Sequence, residues 1–124
     1  MEKANGKCHC GAVTWVATLP VTTVIQCHCQ NCRKLQGSDY SSWVVVAEEN
    51  FKVKSGIACI SHYHFNDRSQ KSFCRHCGSV VYGVNGKHFP SHKLFSLGNI
   101  IDYCEQLKPQ LSVYKEYAVP WCKS

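Results

Sequence analysis

Seven of the ten cysteines fall into three tight clusters: Cys8-His9-Cys10-Gly11, Cys27-His28-Cys29-Gln30-Asn31-Cys32-Arg33 and Cys74-Arg75-His76-Cys77-Gly78. A tetrahedral zinc takes four soft ligands at close range. Cysteines two or three positions apart reach one ion with little chain-closure cost. The chain is therefore expected to fold around metal, its loops pinned by thiolates. Seven is an uneven count. One closed four-thiolate site leaves a three-thiolate site with a vacant position, and a zinc with a vacant position is one that can do chemistry.

With 124 residues, a single domain over 1–124 is expected. A hydrophobic share of 44% against 18% charged residues describes a globular chain, not a disordered one. No apolar run reaches the length of a membrane span. The stretch Met1-Glu2-Lys3-Ala4-Asn5-Gly6 lacks the apolar core of a secretory signal, and the last residues read as neither lipid anchor nor retention signal. The expectation is a cytoplasmic protein whose thiols stay reduced. Its cysteine clusters then read as metal sites in preference to five disulfides. Closely spaced cysteines such as Cys8 and Cys10 would in any case bridge only under strain.

The formal charge of +6 counts every cysteine as neutral. Seven thiolates with two Zn²⁺ would lower it to about +3, because zinc ligands are deprotonated. Arg33, Lys34 and Arg75 stand beside or inside the clusters, where the negative charge gathers. No stripe of Lys and Arg runs along one face, so nucleic acid is not the expected partner.

Most segments read as strands. Ala12–Ala17 is rich in β-branched and aromatic residues up to the Leu19-Pro20 interruption, and Tyr40–Val46 ends in a continuous apolar run expected to be buried on both faces. Phe51–Lys54, Ile57–Phe65, Ser79–Val84, Leu94–Leu97 and Leu111–Tyr114 follow, separated by turn signals such as Ser55-Gly56, Asn66-Asp67 and Asn85-Gly86. One or two helical turns are expected over Asn31–Gln36 and again over Ile100–Leu107 before Pro109. Strands with so little helix between them point to a mainly β protein with antiparallel sheets.

Cys74-x-x-Cys77-Gly78 has the form of a zinc knuckle, with glycine permitting the tight turn behind the sulfurs. Cys8-x-Cys10-Gly11 matches it with one residue fewer. In an extended segment Cys8 and Cys10 would share a face. The two pairs together supply one closed tetrahedral site. A redox dithiol at Cys74/Cys77 is the competing reading, but such pairs sit at a helix N-terminus in a βαβ context, and a strand follows here. Cys27, Cys29 and Cys32 face one ion only if the backbone curls at Gln30-Asn31. Water or a substrate thiol would take the fourth position. His28, or His62, His64, Cys59 or Cys104 from elsewhere, are the alternatives that would close this site. Cys8 and Cys10 could also join Cys27 and Cys29.

At these residues the chain resembles the glutathione-dependent formaldehyde-activating enzymes (GFA), which share their domain with centromere protein V (CENP-V). The matching motifs are Cys8-x-Cys10-Gly11, Cys27-His28-Cys29-x-x-Cys32-Arg33 and Phe73-Cys74-x-x-Cys77-Gly78-Ser79, in that order, with Pro120-Trp121 near the end. The resemblance implies a β-rich Mss4-like (β-tent) fold. It implies a structural zinc on Cys8, Cys10, Cys74 and Cys77, and an exchangeable, catalytic zinc on Cys27, Cys29 and Cys32. It also implies a carbon–sulfur lyase using a small thiol such as glutathione.

The expected chemistry follows from the vacant position. A thiol held there reacts as its thiolate, adds to a carbonyl such as formaldehyde, and leaves when the C–S bond breaks in reverse. Gln30, Asn31 and Arg33 are candidates to orient the adduct, and His28, His76 and His92 to act as base. Trp15, Trp43 and Trp121 read as core rather than pocket. The competing class is a two-zinc β-domain that binds a protein or nucleic acid without catalysis.

Overall fold

The computed structural model describes residues 2–122; Met1, Lys123 and Ser124 lie outside the described residues. Among these described residues, ten strands form two sheets. In chain order they are β1 (Lys3–Lys7), β2 (Thr14–Thr18), β3 (Thr23–Cys27), β4 (Ser41–Ala47), β5 (Phe51–Ser55), β6 (Ile60–Asn66), β7 (Ser69–Cys74), β8 (Val80–Asn85), β9 (His92–Ser96) and β10 (Leu111–Val113). A single α-helix among the described residues, α1 (Gln30–Gln36), follows β3. The smaller sheet runs β1-β2-β5 and the larger β10-β3-β4-β9-β8-β7-β6. This is the mainly β architecture that the strand-rich segments predict, of the β-tent type that the family resemblance implies.

The apolar run of β4 is buried on both faces, as its composition predicts: Trp43, Val44, Val45 and Val46 are all buried. Alternation sends them to different cores. Val44 and Val46 join Val24, Val81 and Phe95 on one face, packed with Ala4, Trp15 and Ala17 of the small sheet. Trp43 and Val45 join Ile25, Val80 and Leu94 on the other face, against Cys27, Cys29, Cys32, Phe89 and Val113. The large sheet thus separates two apolar layers, and the cysteine clusters divide between them. Cys8 and Cys74 belong to the first layer and Cys27 to the second.

Five local expectations are corrected. Ile100–Leu107 forms no α-helix; only a 3-10 turn at Glu105–Leu107 appears, with Leu107 anchored in the core. Cys8–Cys10 is a turn, not an extended segment. The large sheet is not wholly antiparallel, because β10 pairs with β3 in parallel, Val113 opposite Cys27. Strands β1, β3 and β7 carry polar residues such as Lys3, Gln26 and Lys71 that obscured them in the sequence. Strand β6 starts at Ile60, after a 3-10 turn at Ile57–Cys59.

Candidate metal centres and cleft

The four-thiol cluster joins two turns of similar build. In one, the Gly11 N–H returns to the Cys8 carbonyl at 3.1 Å; in the other, the Gly78 N–H returns to the Cys74 carbonyl at 2.7 Å. Both glycines need positive φ, +83° and +79°, which few L-residues adopt. The His9 N–H donates to the Ser79 hydroxyl at 3.0 Å, tying one turn to the other. The Sγ atoms of Cys8 and Cys10 lie 3.7 Å apart, as do those of Cys10 and Cys74. A tetrahedron of sulfurs about 2.3 Å from zinc has an edge of about 3.8 Å, so the donor set fits that ion. The Ser79 hydroxyl, 3.3 Å away, and the Ser79 N–H stabilise the Cys77 thiolate and hold its pKa at about 5.

Cys27, Cys29 and Cys32 form a separate group, their sulfurs all within 4.8 Å of one another. Cys27 ends β3. Cys29 is the N-cap of α1, and its sulfur accepts from the Cys32 N–H at 3.3 Å. The curl expected at Gln30-Asn31 is thus the first turn of a helix that begins one residue earlier than predicted. Gly37 closes it in the left-handed conformation, its N–H on the Arg33 carbonyl. The Ser41 hydroxyl donates to the Cys32 carbonyl at 3.0 Å, and the Lys71 ammonium donates to the Leu35 carbonyl. Burial lowers the Lys71 pKa. Cys32 beside Cys27 holds the Cys27 thiol at about 6, and Cys32 itself is pushed up by donating to Cys27 and by burial. Thiols this close share protons; all ionise together only with a cation between them. The chemistry of the donor set therefore also suits a zinc ion.

None of the alternative ligands completes the three-thiol group among the described residues. His28 is fully buried against the Tyr40 ring, 5.0 Å between centroids. His62 meets the Ser72 hydroxyl at 2.7 Å. Cys59 and Cys104 pack on the other face of the sheet, and His64 is exposed on β6. Cys8 and Cys10 group with Cys74 and Cys77 instead of with Cys27 and Cys29.

The three-thiol group opens on a cleft of about 670 Å³, whose polar wall carries Asn31, Asn66, Asp67, Arg68, Asn85, Lys87 and His88. The β6–β7 turn and the β8–β9 loop build the far wall, joined by the Gly86 N–H on the Arg68 carbonyl at 2.8 Å. Tyr114 enters from β10. Its position is determined by the His28 N–H bonded to the Val113 carbonyl at 3.1 Å. It has φ of 57°, which costs a non-glycine residue about 1–2 kcal/mol. Its hydroxyl lies 3.3 Å from His88 Nε2.

Of the residues expected to orient or activate substrate, only Asn31 lines this cleft. Gln30 is exposed, and the Arg33 Nε is buried without a hydrogen-bond partner. His76 is exposed in the four-thiol turn, and His92 bridges the Pro90 carbonyl and the Thr22 hydroxyl. The unforeseen groups are His88 and Tyr114; neither stands near a cysteine in sequence. Trp15 is core as expected. Trp43 is buried yet also lines a cavity beside Cys32, and Trp121 is exposed, donating to Asp39.

A crystal structure of a Rhodobacter sphaeroides protein from the Northeast Structural Genomics programme is similar to this chain. The TM-score is 0.71 at 20% identity, covering 87% of this chain and 97% of that one. At that identity the likeness speaks for fold alone. The sequence speaks for more: residues 3–117 match the model of the glutathione-dependent formaldehyde-activating enzyme family, and all three cysteine motifs lie within that span. The chain belongs to the glutathione-dependent formaldehyde-activating enzyme family.

Proposed function

We propose that the protein catalyses reversible addition of a small thiol, glutathione-like in its polarity, to an aldehyde. Cys27, Cys29 and Cys32 would hold an exchangeable zinc, and Cys8, Cys10, Cys74 and Cys77 a structural one. The observation that carries this reading is the three-thiol group in the wall of a cleft, with no fourth His, Cys, Asp or Glu joining it among the described residues. Bound there, zinc would supply the positive charge that keeps an incoming thiol in its nucleophilic form at neutral pH.

The chain's own groups do the rest. Arg68 and Lys87 give the cleft cations for carboxylates on the thiol, and Asn31, Asn66 and Asn85 offer amides for its backbone-like groups. In the forward direction the substrate sulfur adds to the carbonyl carbon, the C=O π bond opens, and the oxygen takes a proton. The Tyr114 hydroxyl, 3.3 Å from His88 Nε2, would donate that proton and be reprotonated through His88 by the proton the thiol released, with both transfers reversed when the C–S bond breaks. The reverse step accounts for a carbon–sulfur lyase classification. Cys27 and Ile25 are buried in one apolar cluster, which would exclude water from one side of the reacting sulfur.

The test pairs elemental analysis with thiol–aldehyde exchange followed by NMR. Wild type should carry two zinc ions and accelerate exchange. The Cys27/Cys29/Cys32→Ser triple variant should stay folded, carry one, and show only the spontaneous rate. Unfolding of the triple variant would instead assign the second site to structure.

A further inference from the structure

A second cavity of about 480 Å³ adjoins the polar cleft and differs from it in chemistry. Its walls are Ile25, Trp43, Phe89, Leu94 and Val113, with Glu116 as the charged residue of its lining. Cys27, Cys32, Asn85, His88 and Tyr114 line both spaces, so the two chambers meet at the thiols and the Tyr114–His88 pair. Beyond Trp43 and Leu94 a smaller space of about 70 Å³ continues between Leu35, Phe65 and Val84.

Formaldehyde has two heavy atoms and no substituent, so it makes no use of such a space. A liquid water occupies about 30 Å³, so the apolar chamber has room for roughly sixteen times that volume. Its size falls within the ordinary range for small-molecule sites, roughly 300–1,000 Å³. A polar thiol lying along Arg68 and Lys87 would leave the apolar chamber to the other reactant. We propose that this chamber holds the hydrocarbon substituent of an aldehyde of several carbons, whose carbonyl carbon then lies at the junction beside Cys27, Cys32 and Tyr114. The proposal rests on the thiol–aldehyde reading above and adds the class of carbonyl. The step is an addition without net redox change: S–C forms, the C=O π bond opens, and the thiol proton ends on the new hydroxyl. Each methylene moved from water into the chamber should raise kcat/KM roughly four-fold.

The experiment measures enzyme-accelerated hemithioacetal formation from glutathione with formaldehyde and the straight-chain aldehydes from propanal to heptanal, on zinc-loaded protein. The longer aldehydes share one electrophilicity, so chain length reports burial alone. The expected result is a stepwise rise to roughly 200-fold between propanal and heptanal, flattened in Val113→Trp, whose indole would fill the chamber. A binding readout independent of turnover follows the methyl NMR signals of Ile25, Leu94 and Val113 during titration with 1-heptanol and with 1-propanol. Heptanol should shift them at far lower concentration. Acceleration that is equal along the series, or greatest for formaldehyde, overturns the proposal while sparing the thiol–aldehyde reading. Absence of acceleration with every aldehyde overturns both. Methyl signals indifferent to heptanol overturn the chamber's role whatever the rates.

Discussion

The two cysteine clusters, once loaded with zinc, should differ sharply in what they do for stability, and the difference follows from chain separation. The four-thiol cluster links Cys10 to Cys74, 64 positions apart, and so joins the β1–β2 turn to the β7–β8 turn across the molecule. Treated as a cross-link on the unfolded chain, a closure of that length is worth about 4 kcal/mol. The three-thiol cluster spans only Cys27 to Cys32, and the same relation gives about 2 kcal/mol. A domain of this size has a total stability of about 5–15 kcal/mol, so the first figure is a large share of it. Two-ligand variants make the comparison even. Cys74→Ser/Cys77→Ser should lower Tm by roughly 12–20 °C, and Cys29→Ser/Cys32→Ser by about half as much. Far-UV circular dichroism melts on zinc-loaded proteins measure both. A chelator in excess removes both ions, so it should lower Tm of wild type by roughly the sum of the two losses and that of Cys74→Ser/Cys77→Ser by the smaller one alone. Equal losses in the two double variants, or melting of wild type indifferent to the chelator, would refute the reasoning from loop closure.

Two further outcomes are expected. Tyr114→Phe removes only a hydroxyl from a residue that is 42% exposed, so its melting temperature should stay within about 1 °C of wild type. Its kcat should fall roughly 100-fold with KM little changed; an unchanged kcat would deny the phenol a role in proton transfer. Phe95→Ala opens a hole where the ring is 1% exposed and stacks on Phe51 at 5.8 Å between centroids. It should cost about 3–5 kcal/mol in denaturant unfolding, with the metal content unaltered.

The cysteine spacings carry most of what the amino-acid order determined. Cys74-x-x-Cys77-Gly78 and Cys8-x-Cys10-Gly11 show their turns because thiol separation and a glycine needing positive φ are local properties. The burial of β4 on both faces was legible for a similar reason, since Trp43-Val44-Val45-Val46 leaves no polar side to expose. Strands β3 and β7 were not legible. Gln26, Gln70 and Lys71 break their alternation, and they are strands because neighbours on both sides supply backbone partners. The turn at Ile100–Leu107 failed as a helix because Leu107 is claimed by the core, which local propensity cannot register.

Sequence alone thus determined that the chain carries seven cysteines at metal-ligand spacing and builds mainly β structure, because ligand spacing and side-chain character act over a few residues. Tertiary structure alone decided which sulfurs meet, since that requires bringing residue 10 against residue 74. It likewise decided that His88 and Tyr114 line the cleft on which the three-thiol group opens. Tyr114 reaches it only because β10 pairs in parallel with β3, placing Val113 beside Cys27. Contacts between segments more than 80 positions apart arise from sheet register, and register is settled by the packing of the whole chain.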